Sequence, residues 1–386
     1  MYYDIILLLS KRGTLIHKEG GVLSMQNDNI YVIYGDNPKS MVLELLVKIS
    51  AERMIPPYAK IGIKPNLVVA KPSSSGATTS PELVEGIIEY LQSKGYKDIC
   101  ILEGSWIGDR TSRAFKVCGY EDISRRYKVP LIDLQRDSYI TCKINGTALN
   151  ICSSIQKIDF LINVPVLKGH CQTKITCALK NLKGCIPDSE KRRFHTMGLH
   201  KPIAYLNKAI KQNLVIVDGI MGDLNFEEGG NPVRMSRILA GTDPVLIDSY
   251  AANLLGYDAD EIPYIKIAEQ IGVGTSRWNK HNIVEFNKDK DTEINASTGH
   301  VRYLSKYIED RDACSACYGS LIHALDRLRS KGQLGRVKTR LYIGQYYKNK
   351  AIDEGIGIGQ CTKGCAQFVP GCPPSAKDIV AFLEKV

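Results

Sequence analysis

The chain has 386 residues, 44% hydrophobic and 24% charged, with a formal net charge of +10 and twelve cysteines. That length asks for two domains, or one large domain with an appendage, and the composition excludes a disordered chain. No apolar run reaches the roughly 20 residues of a membrane span. The apolar start, Tyr2 to Ser10, lacks the basic lead and small-residue cleavage site of a secretion signal.

In chain order, residues 1–27 read as an N-terminal extension, with Met25 as an alternative start just before a strand at Ile30 to Tyr34. Apolar spacing from Met41 to Ile49 predicts a helix after the Asp36-Asn37-Pro38 turn. Lys60 to Val69 reads as a buried strand. Ser80-Pro81-Glu82 supplies an N-cap, a proline at the first helical position and an early acid, so a helix runs from there to about Lys94, and Gly95 ends it. Strands follow at Ile99 to Leu102, Phe160 to Val166 and Leu214 to Val217, with helices expected at Lys174 to Leu182, Ile203 to Lys211 and Pro244 to Leu255. Alternating strands and helices imply an α/β fold, a mainly parallel sheet with helices on both faces. A boundary near residue 295 separates the 28–294 α/β domain from a smaller cysteine-cluster domain, 295–386. That domain should hold a helix at Leu321 to Arg329, a strand at Arg340 to Ile343, a glycine-rich stretch at Gly355 to Gly359 and a last helix at Ser375 to Lys385.

The cysteines near the end carry the most specific signal. Without a secretion signal, clustered cysteines point to metal or redox chemistry in a reducing compartment, and the cytoplasm is the expected location. Cys314-x2-Cys317 offers two thiolates from one turn, and Cys361, Cys365 and Cys372-Pro-Pro follow. The set favours a [4Fe–4S] cluster held by Cys314, Cys317, Cys361 and Cys372, with Cys365 spare, and with the glycines before Cys361 letting backbone approach it. Zinc on four thiolates is the alternative. The seven cysteines between Cys100 and Cys185 are scattered and read as small buried hydrophobes.

Charge is unevenly spread. Between Lys168 and Lys201 eight Lys or Arg face two acids, and between Asp218 and Glu261 nine acids face two arginines. Either the two blocks face each other or the first is an anion site. Nothing resembles the aromatic-basic interleaving of a single-strand nucleic-acid binder, so nucleic acid is not an expected partner. Lys168 and His170 follow a strand end, and Thr176, Lys180 and Lys183 would share one helix face with Asn181 beside them, a pattern suited to a phosphate or carboxylate. Lys64 and Asn66 sit at another strand end. A lysine in so apolar a run needs a partner or a use, and Glu103 is the candidate for either an ion pair or a shared ligand site with Asn66. Asp218, Gly229-Gly230, Asp243 and Asp248 admit a magnesium reading, but Asp243 before Pro244 is more simply a helix cap. His195 and His200 read as a basic loop beside Arg192 and Arg193.

Lys64-Pro-Asn66, Thr78-Thr-Ser-Pro81, Glu103-Gly104, Asn163-x-Pro-x-x-Lys168-x-His170, Lys180-Asn-x-Lys-Gly184, Asp218-Gly219 and Gly241-x-Asp-Pro-Val245 with Asp248 together resemble the family catalogued as domain of unknown function 362. The resemblance covers about residues 28 to 290. It implies iron–sulfur cysteines at or beyond the domain. A contiguous ferredoxin-type run, common among relatives, is absent here, so any site is discontinuous. The residues predict an iron–sulfur oxidoreductase acting on a small anionic substrate. His170 would be the proton donor or acceptor, the lysines would hold the anion, and a redox partner protein would exchange electrons. A non-redox iron–sulfur lyase and a cluster-carrying or regulatory protein are the alternatives.

Overall fold

A computed structural model describes residues 28–224, 227–229, 232–288 and 303–385. The N-terminal extension, Gly230 and the boundary near residue 295 lie outside the described residues.

The strands of the first domain are β1 (Ile30–Tyr34), β2 (Ile61–Pro65), β3 (Ile99–Glu103), β4 (Leu131–Asp133), β5 (Tyr139–Ile144), β6 (Thr147–Cys152), β7 (Phe160–Val164), β8 (Lys168–His170), β9 (Lys174–Thr176), β10 (Leu214–Asp223), β11 (Pro232–Gly241) and β12 (Ile283–Phe286). Among the described residues an eight-stranded sheet runs β12-β1-β11-β10-β7-β2-β3-β4. Its neighbours are parallel except at β1–β11 and β10–β11. The β10–β11 connection is too short for the crossover that a parallel pair needs, so this pair closes antiparallel.

Every residue of β2, β3 and β7 is buried, as expected of strands covered on both faces. Alternation along β1 shows the two layers. Ile30, Val32 and Tyr34 join the core under the helices that follow β9, while Tyr31 and Ile33 join the core under the early helices. Those early helices are α1 (Pro38–Lys48), α2 (Pro81–Ser93), α3 (Thr111–Val117) and α4 (Tyr120–Tyr127). The others are α5 (Ala178–Asn181), α6 (Asp188–Met197), α7 (His200–Ala209), α8 (Pro244–Leu254) and α9 (Pro263–Gln270). One local device starts α1, α2 and α8: the side chain of Asn37, Ser80 or Asp243 accepts a first-turn amide, and a proline follows. Leu83, Val84, Ile87, Ile88 and Leu91 of α2 are buried, each contributing roughly 1.5–3 kcal/mol of apolar burial.

The expected helix from Lys174 to Leu182 is replaced by two pieces. Its first part, Lys174–Thr176, is strand β9, paired antiparallel with β8, and a short helix begins only at Ala178. Thr176 and Lys180 are neighbours in either arrangement, so helical spacing found the contact and missed the backbone.

The second sheet has four parallel strands, β13 (Ile308–Asp310), β14 (Leu341–Ile343), β15 (Ile352–Ile358) and β16 (Cys365–Val369). Helices α10 (Ser315–Ser330) and α11 (Ala376–Leu383) bury Leu321, Ile322, Leu325, Ile379 and Leu383 with Leu341, Ile343, Ile356 and Ile358. The glycine-rich stretch is therefore mostly strand. Gly355, at φ +75°, marks the register shift in β15, and a Cβ there would meet Arg340 O at 2.5 Å. Among the described residues no helix is long and apolar enough to cross a membrane.

Candidate functional site

Parallel strands β7, β2 and β3 end side by side, and open α/β sheets place ligands just beyond such ends. Lys64 lies opposite Asn163 in register and is fully buried. Its Nζ donates to Glu103 Oε1 at 3.0 Å, Glu103 Oε2 at 3.1 Å and Pro65 O at 3.1 Å. Glu103 also accepts from the amides of Leu67 (2.9 Å) and Gly104 (2.7 Å). The expected ion pair is thus present, with its remaining lone pairs satisfied, which a buried pair requires. Gly184 follows from it. A Cβ at that position would lie 2.0 Å from Glu103 Oε1 and 2.7 Å from Lys64 Nζ.

Around this pair the amide side chains interlock. Asn66 Nδ2 donates to Asn181 Oδ1 at 2.9 Å, and Asn181 Nδ2 donates to Asn163 Oδ1 at 2.7 Å. Lys168 Nζ donates to Asn66 Oδ1 (3.1 Å), Ala77 O (2.5 Å) and Glu227 O (2.9 Å). Burial pushes the Lys168 amine down to about 7. With its three donor directions used, Lys168 ties β8 to the loop before α2 and does not present itself to a ligand.

His170 is also a holding residue. Its Nδ1 accepts from the amides of Gln172 and Thr173, both at 3.0 Å, so Nε2 carries the proton toward Glu227 Oε2 at 3.1 Å. Burial, then the charge of Lys180, pushes the ring down to about 4. Lys180 reaches the Glu227 carboxylate and Thr176 Oγ1, the latter at 3.2 Å. Burial raises the Glu227 carboxyl, but Lys180 and His170 outweigh it and hold the group well below its usual range. Glu227 thus joins the basic and acidic blocks of the sequence.

The open space lies between these groups and α6. A pocket of about 620 Å³, counting its mouth, is lined by Asn66, Trp106, Lys180, Lys183, Lys191 and His195, among others. Its enclosed part is only about 90 Å³, below the roughly 300–1,000 Å³ of drug-sized sites, so it suits a ligand of a few heavy atoms. His170 was expected to face a ligand; His195, read from the sequence as a basic loop residue, lines the pocket instead. The α6 helix turns it inward, and no local pattern marks that choice. Lys191 is committed to Ser105 O (2.8 Å) and Asp188 Oδ1 (3.0 Å). Lys183 Nζ rests 3.4 Å from His195 Nε2 and contacts no carboxylate among the described residues. Burial, then Lys180, pushes Lys183 down to about 7, and burial with Lys183 pushes His195 down to about 3.

Cys314, Cys317, Cys361 and Cys372 line one cavity with Gly344, Gln345 and Gly359, while Cys365 lies apart at the start of β16. Cys314 caps α10 and Cys317 lies in its first turn, where the helix N-terminus favours thiolate. The other two follow β15 and β16. Burial raises the Cys314 thiol, and Cys361 and Cys372 add to it. Burial, then Cys314 and Cys372, pushes Cys317 up to about 12. Burial alone raises Cys365. At Gly359 the φ of +90° calls for glycine, and a Cβ there would be in ordinary contact with Cys317 Sγ at 3.6 Å. Among the described residues no three His, Cys, Asp or Glu are drawn close enough to grip a single metal ion.

The two sites touch through Gln345. Its Nε2 donates to Thr196 O, next to His195, and lies 3.5 Å from Cys314 Sγ. A second link joins Gln172 Nε2 to Ala313 O at 2.8 Å. The acidic residues have structural duties instead of a shared cation. Asp218 accepts from Ser80 N (2.8 Å) and Ile220 N (3.1 Å), Asp243 caps α8, and Asp248 accepts from Ala178 N (2.7 Å) and Leu179 N (3.2 Å).

Comparison with known proteins places the first domain. A family model described as a domain of unknown function (DUF362) matches residues 61–253. A thylakoid-associated protein of Synechocystis sp. is 26% identical over 233 residues, 57% of this chain and 70% of that protein. The lactate racemase apoprotein from Thermoanaerobacterium thermosaccharolyticum aligns at 13% identity with a TM-score of 0.36, over 68% of this chain and 61% of that one. The chain therefore spans less than two thirds of the racemase. The matched segment contains Lys64, Asn66, Glu103, Lys168, His170, Lys180, Asn181 and Lys183, and on that match the chain belongs to the domain of unknown function 362 family.

Proposed function

We propose that this chain is an iron–sulfur oxidoreductase, with Cys314, Cys317, Cys361 and Cys372 holding a [4Fe–4S] cluster and the sheet-edge pocket holding a small anion. The carrying observation is the adjacency of the two sites through Gln345. Four thiolates on one zinc ion at about 2.3 Å would stand only ~3.8 Å apart. A [4Fe–4S] cluster is wider than an ion, and the cavity lined by the four thiols is where either would sit. Once bound, a cluster would supply single electrons, and the exposed Cys372 offers the side from which a redox partner protein would approach.

The chain's own residues do the rest. Lys183 supplies the uncompensated positive charge for the anion, with Lys180 beside it. The Asn66–Asn181 pair and the Lys64–Glu103 floor fix the pocket's shape. His170, through Glu227, positions Lys180.

The reading is tested by anaerobic purification with iron and sulfide assays and a visible spectrum. It expects a brown protein with about four irons and four sulfides per chain. Cys→Ser at any of the four positions should lose the cluster, while Cys365→Ser keeps it. A colourless zinc protein overturns the cluster. Retention by one of the four single variants would favour a lyase with an open iron position. The exposure of Cys372 also favours a carrier, which would pass its cluster to an apo-acceptor without turning over any substrate.

A further inference from the structure

Among the lysines at the pocket and its floor, Lys64 is matched to Glu103, Lys180 to Glu227 and Lys191 to Asp188. Lys183 is matched to none among the described residues, yet it lines the open space. The charges that face it are Lys180, Lys191 and Glu227, and the neutral ring of His195 lies at 3.4 Å. His195 Nε2 is placed to accept from the amine. Its Nδ1 is buried without a hydrogen-bond partner among the described residues. A desolvated amine beside other cations is the usual setting of an imine-forming lysine.

We propose that Lys183 is a carbonyl-reactive amine, and that the small anion of this pocket is an oxo acid which it binds as an imine. This rests on the pocket being an anion site. The Nζ lone pair of the neutral amine forms a bond to the carbonyl carbon, and one nitrogen proton passes to the carbonyl oxygen, giving a carbinolamine. One solvent proton is then taken up, the C–O bond breaks, water leaves and the nitrogen lone pair closes to the iminium. No electron is gained or lost. The substrate carboxylate would lie toward Lys180, a second cation beside Lys183 in the pocket lining.

The full chain, purified anaerobically, is incubated with pyruvate and sodium cyanoborohydride, which fixes an imine as a stable amine. Intact mass and peptide mapping then locate the product. The expected result is one adduct per chain on Lys183, formed about a hundredfold faster at neutral pH than on exposed lysines such as Lys71 or Lys97. Lys183→Arg keeps the charge and should abolish the adduct. Mapping in the unaltered chain decides the matter even if that variant folds poorly. Adducts spread evenly over exposed lysines overturn the proposal. Pyruvate binding by calorimetry separates the two failures: binding without an adduct overturns the imine and leaves the anion pocket, whereas no binding overturns both.

Discussion

At the sheet edge Lys64 is matched to Glu103 and Lys180 to Glu227, whereas in the tail four thiols crowd one cavity whose lining, among the described residues, holds no lysine or arginine. The first region closes its own electrostatics and needs no ligand to keep its shape. In the second, burial and the neighbouring thiols raise Cys314 and push Cys317 up to about 12, and Lys348 offsets this only in part at Cys314. Binding of the proposed cluster would displace those protons, which would couple loading of the tail to its stability. Lys183 stands between the two cases, an unmatched cation inside the balanced region.

Removing one partner from each region exposes the contrast. Glu103→Ala strands a buried lysine and should cost about 3–5 kcal/mol in urea unfolding. The double change Lys64→Met with Glu103→Leu should recover most of that. Cys361→Ser in the metal-free chain should cost under about 1 kcal/mol, since a hydroxyl replaces an unpaired thiol. Equal costs would erase the distinction. Loading the tail should then release protons, seen as acidification in a weakly buffered titration, and should raise its melting transition while leaving that of the sheet domain nearly fixed. At a hundredfold excess over the dissociation constant the gain is about 2.7 kcal/mol.

The unmatched cation gives a smaller effect. Lys183 is charged below its value of about 7 and neutral above it. Sulfate affinity should therefore fall about tenfold from pH 6 to pH 8, following the loss of that proton. In Lys183→Met the affinity should be low and flat across the same range; a surviving pH dependence would assign the titration to another group. The smallest effect concerns the bridge. Gln345→Leu removes a donor near Cys314 Sγ and should lower the midpoint potential of the proposed cluster by some tens of millivolts, because hydrogen bonds to sulfur favour the more negative, reduced state. An unchanged potential would mean that Gln345 serves only Thr196.

Much of the fold and part of the site are legible in the amino-acid sequence. Lys64 in an apolar strand demands a partner, and Glu103 at the next strand end is the nearest candidate. Asn37, Ser80 and Asp243 before prolines give their helices away through capping chemistry that needs only adjacent residues. The Lys174–Leu182 segment misleads because Thr176, Lys180 and Lys183 keep helical spacing, although the pairing of β8 with β9 takes the first part of that segment.

By itself the sequence determined which residues had to find partners and which local turns and caps could form, since those depend on near neighbours and on the cost of burying charge. Only the tertiary structure decided that His195 instead of His170 faces the pocket, that Glu227 serves Lys180 and His170, and that Gln345 joins the thiols to the sheet edge. Those contacts link residues dozens to more than a hundred positions apart. No periodicity encodes them; they follow from how the strands are ordered and how the second sheet docks on the first.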